Sequence, residues 1–137
     1  MALTHLVDSS VLTRLRQPAI RVEIDERAER GELARAGIGD LEIGCSARSA
    51  VEWDRFAEAL RAFELIETTD EHLRRARQVQ RLLASKHQRG RKVPDLLVAA
   101  AAEARGLTVL HYDADFDRIA AVTGQPCQWV VPAGSVD

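Results

Sequence analysis

The segment "PDLLVAAAAEARGLTVLHY" (94–112) constrains the fold of this chain more than any other. Its first part is apolar nearly all round, so a helix built from it has no wet face and belongs in an interior. Pro94 suits a first helical position, where its missing N–H would be unpaired in any case. Gly106 suits the residue just past a helix end, where left-handed backbone is needed. The apolar run "LTVLHY" (107–112) then reads as a strand. An interior helix feeding an interior strand belongs to a layered α/β arrangement, with helices covering a mainly parallel sheet.

The rest of the chain alternates in the same way. "LTHLV" (3–7) reads as a first strand, followed by a helix through "SSVLTRLR" that Pro18 is expected to end. "AIRVEIDERAERGELARA" (19–36) has a helical period, with Ile20, Ile24, Ala28 and Leu33 as an approximate stripe that Gly31 weakens or divides. "GIGD" (37–40) reads as a turn or a short buried strand, with Asp40 capping a helix that begins "LEIGCSARS". "VEWDRFAEALRAF" (51–63) is amphipathic, with Val51, Phe56, Leu60 and Phe63 turned to the core. "ELIET" (64–68) reads as a strand, and Thr68 with Glu71 has capping-box spacing ahead of a long helix to about Lys86. "GRKVP" (90–94) reads as a loop, "ADFDRIAAVTG" (114–124) as a helix and "CQWVV" (127–131) as a last strand.

At 137 residues, with 46% apolar content and mixed charge, the expectation is one compact globular domain spanning 1–137. Net charge is −2, so the overall field does not announce a nucleic-acid binder. Cys45 and Cys127 read as buried free thiols, with a single disulfide as the alternative. The four histidines are scattered and no HExxH or CxxC spacing occurs, which argues against zinc. The first apolar stretch meets Asp8 too early for a signal peptide, and no run reaches the roughly 18–20 apolar residues of a membrane span. The expected location is the cytoplasm.

In sheets of this kind, ligands bind beyond the carboxyl ends of the strands. Asp8 ends the first strand, while Asp113, Asp115 and Asp117 follow the strand 107–112. Glu42 falls in the first turn of the helix after "GIGD", and Asp95 in the first turn of the most apolar helix. Each has a plainer use, since an acid in a first turn meets the helix dipole and Asp8 could simply cap its helix. Their convergence carries the functional reading: four segments each deliver a carboxylate to one edge of the sheet. Crowded carboxylates raise one another's pKa unless a cation joins them. An all-oxygen set suits Mg²⁺ or Mn²⁺ and, with such ions, phosphate-ester hydrolysis. "DADFD" is not a calcium loop, because Arg118 holds the required glycine position and Gly124 the required glutamate position. No GxxxxGK[ST] loop is present, which argues against an NTPase.

From Leu73 to Pro94 there is no acidic residue, but Arg74, Arg75, Arg77, Arg81, Lys86, Arg89, Arg91 and Lys92 are present. Arg74, Arg77 and Arg81 share one helix face, away from Leu73, Ala76 and Leu83. With Arg91 and Lys92 they form a candidate track for RNA phosphates bordering the carboxylate cleft. A solvated helix face, or a contact surface for a protein partner, is the competing reading. The few aromatics offer no stacking platform.

"HLVDSSVL" (5–12), "DLEIGCSARS" (40–49) and "VPDLLVAAAAEARGLTVLHYDADFDRIA" (93–120) together resemble the PIN-domain ribonucleases. Within them they resemble the VapC toxins of bacterial type II toxin–antitoxin modules, particularly the mycobacterial kind. Each motif alone is weak, but their order and the chain length make the set specific. The resemblance implies a three-layer α/β/α sandwich with a mainly parallel central sheet. It implies a Mg²⁺- or Mn²⁺-dependent endoribonuclease that leaves 5′-phosphate and 3′-hydroxyl ends, a VapB antitoxin covering the cleft, and a toxin homodimer. The acidic positions fall on Asp8, Glu42, Asp95 and Asp113. Asp8 and Asp95 would be the main metal ligands with Asp113 beside them, and Glu42 would bind a second ion or help activate water. Ser10 matches a position that supports the first aspartate, and Asp115 has a better claim to the site edge than Asp117.

Two other functions compete with this one. A receiver-like Mg²⁺-binding signalling domain would need adjacent acids after the first strand, whereas "VDSS" supplies one. A catalytically silent PIN-like binding module would not need the intact acidic set.

Overall fold

The computed structural model describes residues 2–88 and 92–137. Arg89 and Arg91, with the 90–91 part of the expected loop, lie outside the described residues. Five strands form one all-parallel sheet: β1 (His5–Val7), β2 (Leu33–Ala36), β3 (Glu64–Ile66), β4 (Thr108–His111) and β5 (Cys127–Trp129), in the order β3-β2-β1-β4-β5. The helices are α1 (Ser9–Leu12), α2 (Pro18–Glu29), α3 (Gly37–Gly44), α4 (Ala50–Leu60), α5 (Asp70–Ser85), α6 (Val93–Ala104) and α7 (Asp115–Thr123).

Alternation along the strands builds two cores. Leu6, Ala34 and Val109 face one side of the sheet, against Leu83 of α5, Ala99 of α6 and Phe116 of α7. Their neighbours Val7, Leu33 and Leu110 face the other side, against Val11 of α1, Ile20 and Ile24 of α2 and Leu60 of α4. The period of two along a strand thus makes a three-layer α/β/α sandwich, as expected. Helix α6 is buried along most of its length, from Asp95 through Ala102, which its near-uniform apolarity requires.

Several local expectations are corrected. The helical pattern of 19–36 breaks at Gly31, which adopts φ 68°, and "LARA" becomes strand β2. Four residues are too few to show a period, but Leu33 and Ala34 bury on opposite sheet faces, which only a strand permits. Pro18 does not stop the preceding helix, which already ends at Leu12; it opens α2. Residues 37–40 are the first turn of α3 and not a strand, and Asp40 does not cap a helix. Asp40 instead pairs with Arg35 of β2 at 2.9 Å. The same guanidinium donates to the carbonyls of Leu60 and Phe63, tying β2 to the end of α4.

The cap of α5 lies one residue on from the expected one. Thr69 Oγ1 accepts from the His72 N–H, and His72 Nδ1 accepts from the Thr69 N–H. Val51, expected in the core, is 60% exposed, and Leu73 is exposed as well. Both cysteines are free, but neither is buried as expected: Cys45 is exposed and Cys127 half-buried. No helix among the described residues is long and apolar enough to cross a membrane.

Candidate active site

The strand order reverses direction between β1 and β4, since the chain runs outward from β1 through β2 to β3 but places β4 on the opposite flank. Loops leaving the carboxyl ends of these two neighbours diverge and leave a crevice. Asp8 follows β1 directly and Asp113 follows β4 by one residue beyond Tyr112. A cleft of about 450 Å³ opens there, lined by Asp8, Glu42, Lys92, Asp95 and Asp113 together with Ser9, Ser10 and Arg14. The four acids expected to meet therefore share one cleft.

Each is placed by backbone. The Asp8 N–H extends the ladder to the Leu110 carbonyl, and its Oδ2 accepts from the Ser10 N–H at 3.0 Å, capping α1. The capping use and the cleft position coexist, because the cap occupies one carboxylate oxygen and leaves Oδ1 with no partner among the described residues. Ser10 Oγ accepts from the Tyr112 N–H at 2.9 Å, bonding the β1 loop to the β4 loop. Glu42, on α3, accepts from Ser9 Oγ at 3.1 Å. Asp95 sits in the first turn of α6, and its Oδ2 is likewise buried and without a hydrogen-bond partner among the described residues.

Asp113 is held differently. Its Oδ1 accepts from the Asp115 N–H at 2.9 Å, and its Oδ2 pairs with Lys92 Nζ at 2.8 Å. Its own N–H donates to Nδ1 of the buried His111. Asp95, Asp113 and Asp115 can bring one carboxylate oxygen each within 4.8 Å of one another, close enough to share a cation.

The electrostatics follow from this placement. Burial, then the charges of Asp8 and Asp113, push the Asp95 carboxyl up to about 8. Burial also raises Asp8, despite the opposing hydrogen bonds from Ser10. Glu42 is raised by burial and by the nearby Asp8. For Asp113 burial pushes upward too, but the Lys92 hydrogen bond, the Asp115 N–H and the Lys92 charge outweigh it and hold the group below its usual value.

Do these residues fit a divalent cation? Two buried carboxylate oxygens, Asp8 Oδ1 and Asp95 Oδ2, lack partners among the described residues, and the acids repel one another. An unpaired buried anion is costly, and a hard cation ligated by oxygens removes that cost. The carboxylate and hydroxyl donors match Mg²⁺ or Mn²⁺. The donors therefore fit such an ion: Asp95, Asp113 and Asp115 have oxygens within mutual reach, and Asp8 and Glu42 line the same cleft.

The remaining expected residues divide. Ser10 and Asp115 are beside the carboxylates, as above. Asp117 accepts from Trp129 Nε1 at 3.1 Å, on an exposed part of α7, and does not line the cleft. Arg74, Arg77 and Arg81 are exposed on α5, and none lines the cleft. Arg75 pairs with Glu103 in the last turn of α6, so the Arg74–Arg77 end of α5 lies level with the end of α6 remote from Asp95. Among the described residues of the basic set, Lys92 alone reaches the site. Sequence reasoning passed over Ser9 and Arg14. Ser9 could have been found from its position beside Asp8. Arg14 carried no signal; it is held in place by its Nη1 bond to the Ser10 carbonyl at 2.7 Å and by stacking over Tyr112.

Comparison with known proteins agrees with this geometry. The PIN-domain profile matches residues 5–122. Ribonuclease VapC51 of Mycobacterium tuberculosis (strain ATCC 25618 / H37Rv) is 62% identical over 137 residues, covering 100% of both chains. Ribonuclease VapC21 of the same strain is 44% identical, covering 98% of this chain and 99% of the relative. Among solved structures, a DNA-bound VapBC from Salmonella typhimurium superposes with a TM-score of 0.77 at 17% identity, over 94% of this chain and 99% of that one. That likeness is one of fold. A crevice at the sheet's reversal point, acids arriving from β1, α3, α6 and the β4 loop, and sequence identity along the whole length agree, and the chain belongs to the PIN-domain family.

Proposed function

We propose that this protein is a Mg²⁺- or Mn²⁺-dependent endoribonuclease, acting as a single domain over 1–137 and as the toxin of a type II toxin–antitoxin pair in the cytoplasm. The observation that carries the reading is the pair of buried carboxylates, Asp8 and Asp95, each with an oxygen that has no partner among the described residues, in one cleft. The near relatives bear the name ribonuclease, and the 62% identity extends over the full chain. Membership of the PIN family leaves the receiver-like alternative without support.

In this reading Asp8, Asp95 and Asp113 hold the ion. Such an ion would supply Lewis-acid activation of the phosphodiester and of an attacking water. Glu42 has one oxygen steadied by Ser9, which leaves the other to accept the proton of that water. Its carboxyl, raised by burial and by Asp8, is a stronger base than a free glutamate. Ser10 fixes Asp8, and Asp115 orients Asp113 through its N–H. Lys92 would draw an RNA phosphate into the cleft, and the exposed Arg74, Arg77 and Arg81 of α5 would hold RNA phosphates away from it. A VapB antitoxin covering the cleft would silence the enzyme, and a homodimer is the expected toxin assembly. The catalytically silent alternative requires that the acids be retained without turnover.

The test is cleavage of total RNA with Mg²⁺ or Mn²⁺ by wild type, Asp8→Ala and Asp95→Ala, with circular dichroism as the control for folding. Loss of cleavage in both variants, with the fold kept, is expected. Cleavage by Asp95→Ala equal to wild type overturns the site. Induced expression should arrest growth, and the Asp8→Ala form should not.

A further inference from the structure

We infer that Lys92 is a tethered counter-ion of the Asp95–Asp113–Asp115 trio, which a divalent ion must displace from Asp113 before the trio can ligate it.

The inference rests on the ion-binding reading of the cleft and adds a competitor to it. Asp95, Asp113 and Asp115 form the acidic trio whose oxygens lie within 4.8 Å of one another. One member, Asp113, has both carboxylate oxygens engaged: Oδ1 by the Asp115 N–H and Oδ2 by Lys92 Nζ at 2.8 Å. A divalent ion binding through Asp113 Oδ2 and the ammonium that now sits there cannot share that oxygen without strong repulsion. The Lys92 side chain is 60% exposed, so it has room to leave; Asp113 is 18% exposed and fixed through its own N–H to His111. The mobile partner of the pair is therefore the lysine. Lys92 immediately precedes α6, the helix that carries Asp95. Its backbone is thus anchored at the cleft wall, and an ammonium released from Asp113 stays beside the ion, where a substrate phosphate would arrive.

A purely positioning lysine would behave oppositely. If Lys92 served to hold Asp113 ready for the ion, removing it would weaken ion binding. If it occupies the ion's place, removing it strengthens binding, because nothing need be displaced.

The experiment is calorimetric titration of Mn²⁺ into full-length wild type and Lys92→Gln, with thermal melting of each in EDTA and in saturating Mn²⁺. Lys92→Gln should bind Mn²⁺ on the order of fivefold more tightly, the scale of an exposed ion pair whose loss no longer opposes the metal. It should melt lower than wild type in EDTA, since the acids lose their counter-ion, and gain more on adding Mn²⁺. RNA cleavage should nevertheless fall, because the released ammonium is missing. Equal or weaker Mn²⁺ binding by Lys92→Gln overturns the inference while leaving the metal site standing. Wild type that binds no Mn²⁺ overturns the metal site itself.

Discussion

The Asp95 and Asp113 sides of the cleft solve the same electrostatic problem in opposite ways. Asp95 is almost fully buried in the first turn of a helix that is mostly alanine and aliphatic, and one of its oxygens has no partner among the described residues. Its carboxyl is pushed up to about 8. Asp113, in a loop a short way across the cleft, has an ammonium and a backbone N–H on its two oxygens and is held below the usual carboxylate range. Without metal, Asp95 is stored as a neutral acid and Asp113 as a paired anion. The cost of assembling an anionic cluster is thereby met by a proton on one side and a lysine on the other. In the proposed ion-binding reading, both would be given up for a divalent ion.

The sharpest way to break the comparison is at Asp95. Asp95→Asn should lower RNA cleavage by about 10³-fold, since several kcal/mol of metal-borne stabilisation of the transition state goes with the ligand. The same change should raise the stability of the metal-free protein at pH 9 by about 1–3 kcal/mol, because a neutral isostere replaces a buried anion. Denaturant melts in EDTA check the second outcome, and a variant less stable than wild type there would contradict the account of Asp95. Asp113→Asn should also impair cleavage, but without stabilising the metal-free fold, because it strands Lys92.

The pH dependence of stability sharpens it next. An acid whose folded pKa is raised binds its proton more tightly in the native state. Its contribution is therefore present at low pH and is lost as pH rises from the unfolded value of 3.8 toward about 8. Asp8 and Glu42 are shifted in the same direction, which adds to the slope. Asp113 has the opposite sign, and its contribution disappears only below the ordinary aspartate range. In EDTA the protein should lose stability between pH 4 and 8; in saturating Mg²⁺ the slope should flatten or reverse, because deprotonated ligands bind the ion. Chemical denaturation at a series of pH values measures both curves.

A smaller effect is expected at Asp115→Asn, about tenfold on Mn²⁺ affinity, as for a group that orients or supplements a principal ligand. The smallest belongs to Asp117→Asn, which should change cleavage by less than about twofold while altering Trp129 fluorescence, because its carboxylate meets the indole outside the cleft.

Much of this was legible in the chain. The interior helix at 93–104, the strand after it and Gly106 between them are dictated by apolarity and left-handed backbone, which are local properties. The acids Asp8, Glu42, Asp95 and Asp113 could be assigned to one sheet edge because parallel strands all end there. What failed was short or ambiguous. "LARA" is too brief to show its period, Pro18 can begin a helix as well as end one, and Asp40 faces an arginine five residues back that no capping rule anticipates. The asymmetry between Asp95 and Asp113 was equally hidden. Both are aspartates near a helix start, and only burial and a lysine 21 residues upstream of Asp113 separate them.

The amino-acid sequence by itself determined the layers, the edge at which the acids gather and the hard-oxygen chemistry they offer, because these follow from side-chain period, strand direction and donor type. Only the tertiary structure decided which carboxylate keeps a proton, which keeps a lysine and which arginines stay outside the cleft. Those outcomes depend on desolvation and on contacts of a few ångströms between residues far apart in the chain, and neither quantity is carried by local sequence.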